Sequence, residues 1–179
     1  MKTDSTESGF VHVSIRISAR PRTRLNREAK HLHVSLNSLI NAILEKYDSF
    51  DKILQGANAI PLSEAFFVEI LDVTSIDEIE NIAKKLAAKV VRQSFASQGI
   101  EFNLDNLIEF YFEPLSEYSG WYQFNWRSEG TSHKLIFTHS HGPKWTAFLR
   151  QYYAAVIRSA TGGEPYVTVE DAVLTLTSR

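Results

Sequence analysis

The sequence predicts an α+β protein in two parts: a strand followed by two short helices, then a larger domain of helices packed on a small antiparallel sheet. Three observations predict it. Residues 11–18, Val-His-Val-Ser-Ile-Arg-Ile-Ser, alternate apolar and polar side chains, the period of a strand with one buried face. Between residues 21 and 112, apolar side chains recur at helical spacing between capping signals. From residue 121 onward, strand-like runs come in pairs on either side of one long helical run, a β-β-α-β-β order that suits a sheet covered by helices.

Each element has its own signal. Pro21 suits an early helical position, and Leu25, Ala29 and Leu32 then recur at i, i+4 and i+7 with arginines on the other faces. His33-Val34 interrupts that helix, and Ser35 can cap a second in which Leu36, Leu39, Ile40, Ile43, Leu44 and Tyr47 form an apolar stripe. Residues 51–62 read as a frayed helix end and a linker closed by Pro61. Ser63 opens a run with Phe66, Phe67, Ile70 and Leu71, for which helix is preferred over a buried strand. Ser75 to Glu78 is a capping box that starts one helix through Ile79, Ile82, Ala83, Leu86, Val90 and Val91, ending near Gly99. A third helix from Asn103 is expected to stop at Pro114. Strands are predicted over 121–127, 132–139, 166–169 and 172–177, with a helix over 144–160 between the pairs.

Composition narrows the function. The chain has 179 residues, 44% hydrophobic and 22% charged, enough for a small module joined to a domain with its own core. It has no cysteine, which removes disulfides, thiolate metal sites and thiol nucleophiles. Residues 1–9 form a polar tail without the apolar stretch of a signal peptide, and no run reaches membrane-spanning length, so a cytoplasmic protein with no membrane partner is expected. The net charge of −2 conceals a division: residues 1–50 carry 8 Lys+Arg against 5 Asp+Glu, and the remainder is acidic. Five arginines, Arg16, Arg20, Arg22, Arg24 and Arg27, fall within twelve positions of the basic part.

A strand and two short helices cannot bury the strand's backbone groups and both apolar stripes alone. A second copy solves this. Antiparallel pairing across a two-fold axis puts Val11, Val13, Ile15 and Ile17 on a shared core and turns His12, Ser14 and Arg16 outward, as a two-stranded ribbon that fits the major groove.

In these residues the chain resembles the ribbon-helix-helix, or Arc/MetJ, DNA-binding family over about residues 10–50. The strand pattern His12 to Ile17 and the turn Val34-Ser35-Leu36-Asn37-Ser38-Leu39-Ile40 carry the resemblance. Two positions depart from the family: Ser18 stands where a proline is usual, and His33 where the turn glycine is usual. The resemblance implies a homodimer whose swapped ribbon reads bases through His12, Ser14 and Arg16. It also implies a phosphate clamp at the start of the second helix, around Ser35, Leu36 and Asn37. Arg20, Arg22, Arg24 and Arg27 are read as further phosphate contacts, with plain surface as the alternative. The segment from His139 to Tyr152 is similar to one in archaeal ribbon-helix-helix proteins of this length, which extends the resemblance along the chain. The implied organisation is a tail (1–9), a ribbon-helix-helix domain (10–50), a linker (51–62) and an α+β effector or oligomerisation domain (63–179).

Aromatic residues crowd between Phe110 and Tyr153. Core packing accounts for them. The alternative is an effector pocket lined by Trp121, Phe124, Trp126, Phe137, Trp145 and Tyr152, suited to a small apolar or planar molecule. His139 and His141 lie about 6.6 Å apart along a strand and could share an ion, but two ligands without a third favour packing, so no metal or other cofactor is expected. His31 and His33 are read as helix-end cations, and Gly142-Pro143-Lys144 as either an anion site or a plain cap. No nucleophile elbow, phosphate loop or zinc-protease spacing occurs, so no enzyme is expected. The reading is a sequence-specific regulator that binds double-stranded DNA as a dimer or higher oligomer, with a C-terminal domain that senses an effector or adds oligomer contacts. Its rivals are an antitoxin-like or other protein-interaction module that also binds DNA, and a metal-responsive repressor.

Overall fold

The computed structural model describes residues 13–52, 54, 59–87, 89–130 and 132–178. Internal contacts divide the chain into two units, Met1–Leu44 and Glu45–Arg179, with the division falling inside the second helix.

The first unit holds α1 (Ala19–His31) and most of α2 (Leu36–Lys46). Helix α1 closes with a Schellman pair: the Val34 amide donates to the Ala29 carbonyl at 2.9 Å and the His33 amide to that of Lys30 at 3.3 Å. That closure needs a left-handed residue at the first position past the cap, and His33 supplies it at φ 56°. A glycine would adopt this conformation without the Cβ penalty. Helix α2 begins as predicted at Ser35, whose Oγ accepts from the Ser38 amide at 3.0 Å. Residues 13–18, predicted as strand, carry no helix or strand, and residues 11 and 12 lie outside the described residues. A strand exists only with a partner for its ladder.

The second unit starts with the end of α2 and a π-helical turn (Tyr47–Asp51), whose Phe50 is buried against Tyr118 at 5.6 Å between ring centroids. Phe50 and half-buried Leu54 thus join the C-terminal core. Helix α3 (Glu64–Val73) is capped by Ser63, which accepts from the Phe66 amide at 3.3 Å. The predicted single face is split: Phe67 and Leu71 turn inward, while Phe66 and Ile70 are exposed. The capping box is present, with the Ser75 amide donating to Glu78 at 3.0 Å and the Glu78 amide returning to Ser75 Oγ at 3.3 Å.

Two predicted helices are corrected. The run to Gly99 is two helices, α4 (Ile76–Ala87) and α5 (Val90–Gln98), parted at Lys89 with φ −125° and ψ −49°. A straight helix at about 100° per residue would keep Val90 in line with Ile79 and Ala83 and turn Phe95 away. The break instead buries Val91 and Phe95 and leaves Val90 outside. Pro114 does not end its helix. The chain passes through α6 (Leu104–Leu107), a π-helical turn (Ile108–Phe112) and α7 (Glu113–Tyr118), with Pro114 in the first turn of α7. The wider π turn makes room for the pyrrolidine ring, and a first-turn residue needs no donor.

The sheet is antiparallel in the order β1-β2-β4-β3, from β1 (Gln123–Glu129), β2 (Ser132–Thr138), β3 (Tyr166–Glu170) and β4 (Val173–Ser178). The long helix α8 (Gly142–Thr161) joins the pairs. Leu135, Phe137, Leu174 and Leu176 from the central strands are fully buried in one cluster with Leu149, Tyr153, Val156 and Ile157 of α8. This is the predicted α+β layer. Boundaries shift by one or two residues: Trp121 precedes β1, His139 follows β2, and α8 starts at Gly142.

Candidate nucleic-acid interface

The basic segment becomes helix α1, which carries Arg20, Arg22, Arg24, Arg27 and Lys30 against one acid, Glu28. Arg20 and Arg22 occupy its first turn, where cations oppose the macrodipole, and Ser18 makes no side-chain cap bond there. Among the described residues, none of the α1 arginines has an acidic partner within ion-pair distance. All four are exposed. Arg24, Arg27, Glu28 and His31 line a surface hollow of about 600 Å³.

The sequence-predicted base readers are only partly placed. His12 lies outside the described residues; Ser14 and Arg16 are exposed. Their apolar neighbours are open too, Val13 at 70% and Ile15 at 57%, so the alternation does not separate into a buried and a free face in one chain. At the predicted clamp, Ser35 is occupied as the cap and its hydroxyl also pairs with Ser38 Oγ at 2.8 Å. The helical ladder begins with the Leu39 amide on the Ser35 carbonyl at 3.1 Å. The amides of half-buried Leu36 and exposed Asn37 therefore stand ahead of the ladder, where a helix presents free donors.

In the second unit the six proposed pocket residues differ in burial. Phe137, Trp145 and Tyr152 are buried, Trp121 and Phe124 are half-buried, and Trp126 is exposed with its Nε1 donating to Glu113 at 3.1 Å. The rings pack on one another: Phe137 stacks on Tyr153 at 4.7 Å and Trp145 on Phe148 at 4.6 Å. A hollow of about 470 Å³ lies elsewhere, among Gly163, Glu164, Pro165, Tyr166, Thr177 and Ser178. The Tyr111 and Tyr152 hydroxyls pair at 3.0 Å, and burial pushes both phenols up.

His139 and His141 stack at 6.2 Å, and three of their four ring nitrogens find partners in the fold, while buried His141 Nδ1 makes no hydrogen bond among the described residues and lies 3.6 Å from Glu64 Oε1. His139 Nδ1 accepts from the His141 amide at 3.2 Å and its Nε2 meets Thr146 Oγ1 at 3.0 Å. His141 Nε2 lies 2.9 Å from the Gly120 carbonyl. Burial, reinforced by His141, holds the His139 imidazole down at about 4. Among the described residues no three His, Asp or Glu side chains gather around a common point for an ion. Lys144 is a cap: its Nζ donates to the Leu71 and Asp72 carbonyls at 2.9 and 2.7 Å, closing the C-terminus of α3.

Arg27, a candidate phosphate contact by sequence, and His31, read there as a helix-end cation, lie by helical spacing on the same face of α1 as Arg24. No family model matches this chain, and no curated relative does either.

Proposed function

We propose that this chain is a dimeric DNA-binding regulator of the ribbon-helix-helix type, with residues 11–18 of two copies paired as a ribbon that enters the major groove. One observation carries the reading. The N-terminal unit buries only Ala29 and Leu39 among its described large or small apolar residues, while Val13, Ile15, Leu32, Val34, Ile43 and Leu44 stay more than 40% exposed. A unit this thin in core needs a second copy, and an alternating segment with an unpaired backbone is what a ribbon requires of each copy. His33 adds support, since its left-handed backbone stands where the family places a glycine.

Within this reading His12, Ser14 and Arg16 face the bases, and the α2 start at Leu36 and Asn37 holds a phosphate. The C-terminal unit serves oligomer contacts or effector sensing. Selection of binding sites from random DNA, followed by titration of matched and scrambled duplexes, tests the reading directly. Arg16→Ala should cost about 1–3 kcal/mol on the matched site and relax discrimination, because a guanidinium paired with a guanine edge rejects other bases. Asn37→Ala should weaken both duplexes about equally. Unchanged affinities in Arg16→Ala would remove the strand from the groove.

A further inference from the structure

Arg20, Arg24, Arg27 and His31 follow one another at i, i+4, i+7 and i+11 along α1. At about 100° per residue they share a sector roughly 60° wide, and at about 1.5 Å rise the stripe is about 16 Å long. Buried Ala29 lies on the opposite side of the helix, with half-buried Leu25 beside it. A second copy seated on that apolar face therefore leaves the stripe open. Arg22, by contrast, lies about 160° around the helix from Arg24 and does not join it. The shared hollow among Arg24, Arg27, Glu28 and His31 is the side-chain counterpart of this backbone geometry.

We propose that Arg20, Arg24, Arg27 and His31 form a second, sequence-independent contact that holds the phosphate backbone of double-stranded DNA along the outer face of α1. The proposal deepens the DNA-binding reading and rests on it for the partner class. Phosphates recur about every 3.4 Å of axis on each strand, so a 16 Å stripe spans several. The stripe contains no Phe, Tyr or Trp on which successive unpaired bases could stack, and no carboxylate except Glu28 at its edge, which suits a duplex backbone over a single strand. Unpaired cations in the first turn of α1 weaken the free helix, and a bound phosphate relieves them.

The test titrates the full-length chain with a long random-sequence duplex between about 50 and 200 mM salt. Arg24→Gln/Arg27→Gln should reduce the slope of log K against log salt by about two for each chain engaged. Lys84→Gln/Lys85→Gln removes the same charge from the C-terminal unit and should reduce the slope by less than half as much. Arg24→Lys/Arg27→Lys should keep the wild-type slope, since lysine supplies the point charge, and circular dichroism on each variant reports helix content. Equal slope changes in the two Gln pairs, an unaltered slope in the first, or no binding of the random duplex by the wild type would each overturn the stripe. The groove reading fails separately: it falls if Arg16→Ala leaves matched and scrambled duplexes unchanged, whatever the stripe variants do. With both readings correct, Arg24→Gln/Arg27→Gln weakens the two duplexes alike and preserves their ratio.

Discussion

Among its described residues the N-terminal unit buries two apolar side chains, Ala29 and Leu39, whereas the C-terminal unit closes a continuous core from Phe50 to Leu176 around the sheet and α8. Their local signals are equally good. Ser35 caps α2 as well as Ser63 caps α3, and α1 ends in as regular a Schellman closure as α5 does at Gly99. The difference lies in what the elements have to pack against. Capping fixes where a helix starts and stops, at roughly 1 kcal/mol each, but burial supplies the stability of a domain. One unit closes a core from its own residues, and the other leaves most of its described apolar side chains exposed, which is what the proposed ribbon dimer would cover.

The largest expected effect breaks the C-terminal core. Phe137 is fully buried, stacked on Tyr153 and edge-on to Phe112 at 5.3 Å, so Phe137→Ala should cost about 3–5 kcal/mol in urea unfolding of residues 45–179. A cost below about 1 kcal/mol would mean the ring cluster is not the stabilising centre.

Ile15→Asp sharpens the contrast from the other side. In a single chain Ile15 is 57% exposed and a charge there is nearly free, whereas in a paired ribbon it is buried. Sedimentation should show the dimer dissociating at least a hundredfold more readily, about 3 kcal/mol, and an unaffected dimer would refute the ribbon.

Where the units divide can be tested by truncation. Residues 45–179 keep Phe50 against Tyr118 and should melt cooperatively near the full-length value for this unit. Residues 63–179 lose that contact and Leu54, and should melt several degrees lower, a loss of about 1–3 kcal/mol. Identical melting would return the boundary to the 51–62 linker.

Acid should act on the C-terminal unit through His139. The unfolded chain takes up this proton near 6.5, the folded chain only near 4. Between those values the unfolded state binds more protons, so stability present above pH 6.5 is lost as pH falls toward 4, on the order of 2 kcal/mol. Urea midpoints of residues 45–179 at pH 7 and 4.5 should differ less in His139→Gln, and an equal difference would clear His139 of the effect.

The smallest effect belongs to the turn. His33→Gly should raise the stability of the N-terminal unit by about 1 kcal/mol, read from its thermal transition, because glycine takes φ 56° without strain. A loss of stability would show that the imidazole contributes more than its backbone costs.

By itself the sequence determined the local events: the caps at Ser35, Ser63 and Ser75, the two strand pairs about a long helix, and the concentration of arginine before residue 28. These depend on neighbours three or four residues away, whose chemistry is written in order along the chain. Only the tertiary structure decided that Pro114 sits within a helix, that the helix after Ser75 breaks at Lys89 to bury Phe95, and that Lys144 closes α3 instead of waiting for an anion. It also decided that Phe137, Trp145 and Tyr152 are core, and that His139 spends both nitrogens on Thr146 and the His141 amide. Each of these turns on contact between residues distant in sequence, where packing outweighs a local preference of about 1 kcal/mol, and periodicity carries no record of which distant face it will meet.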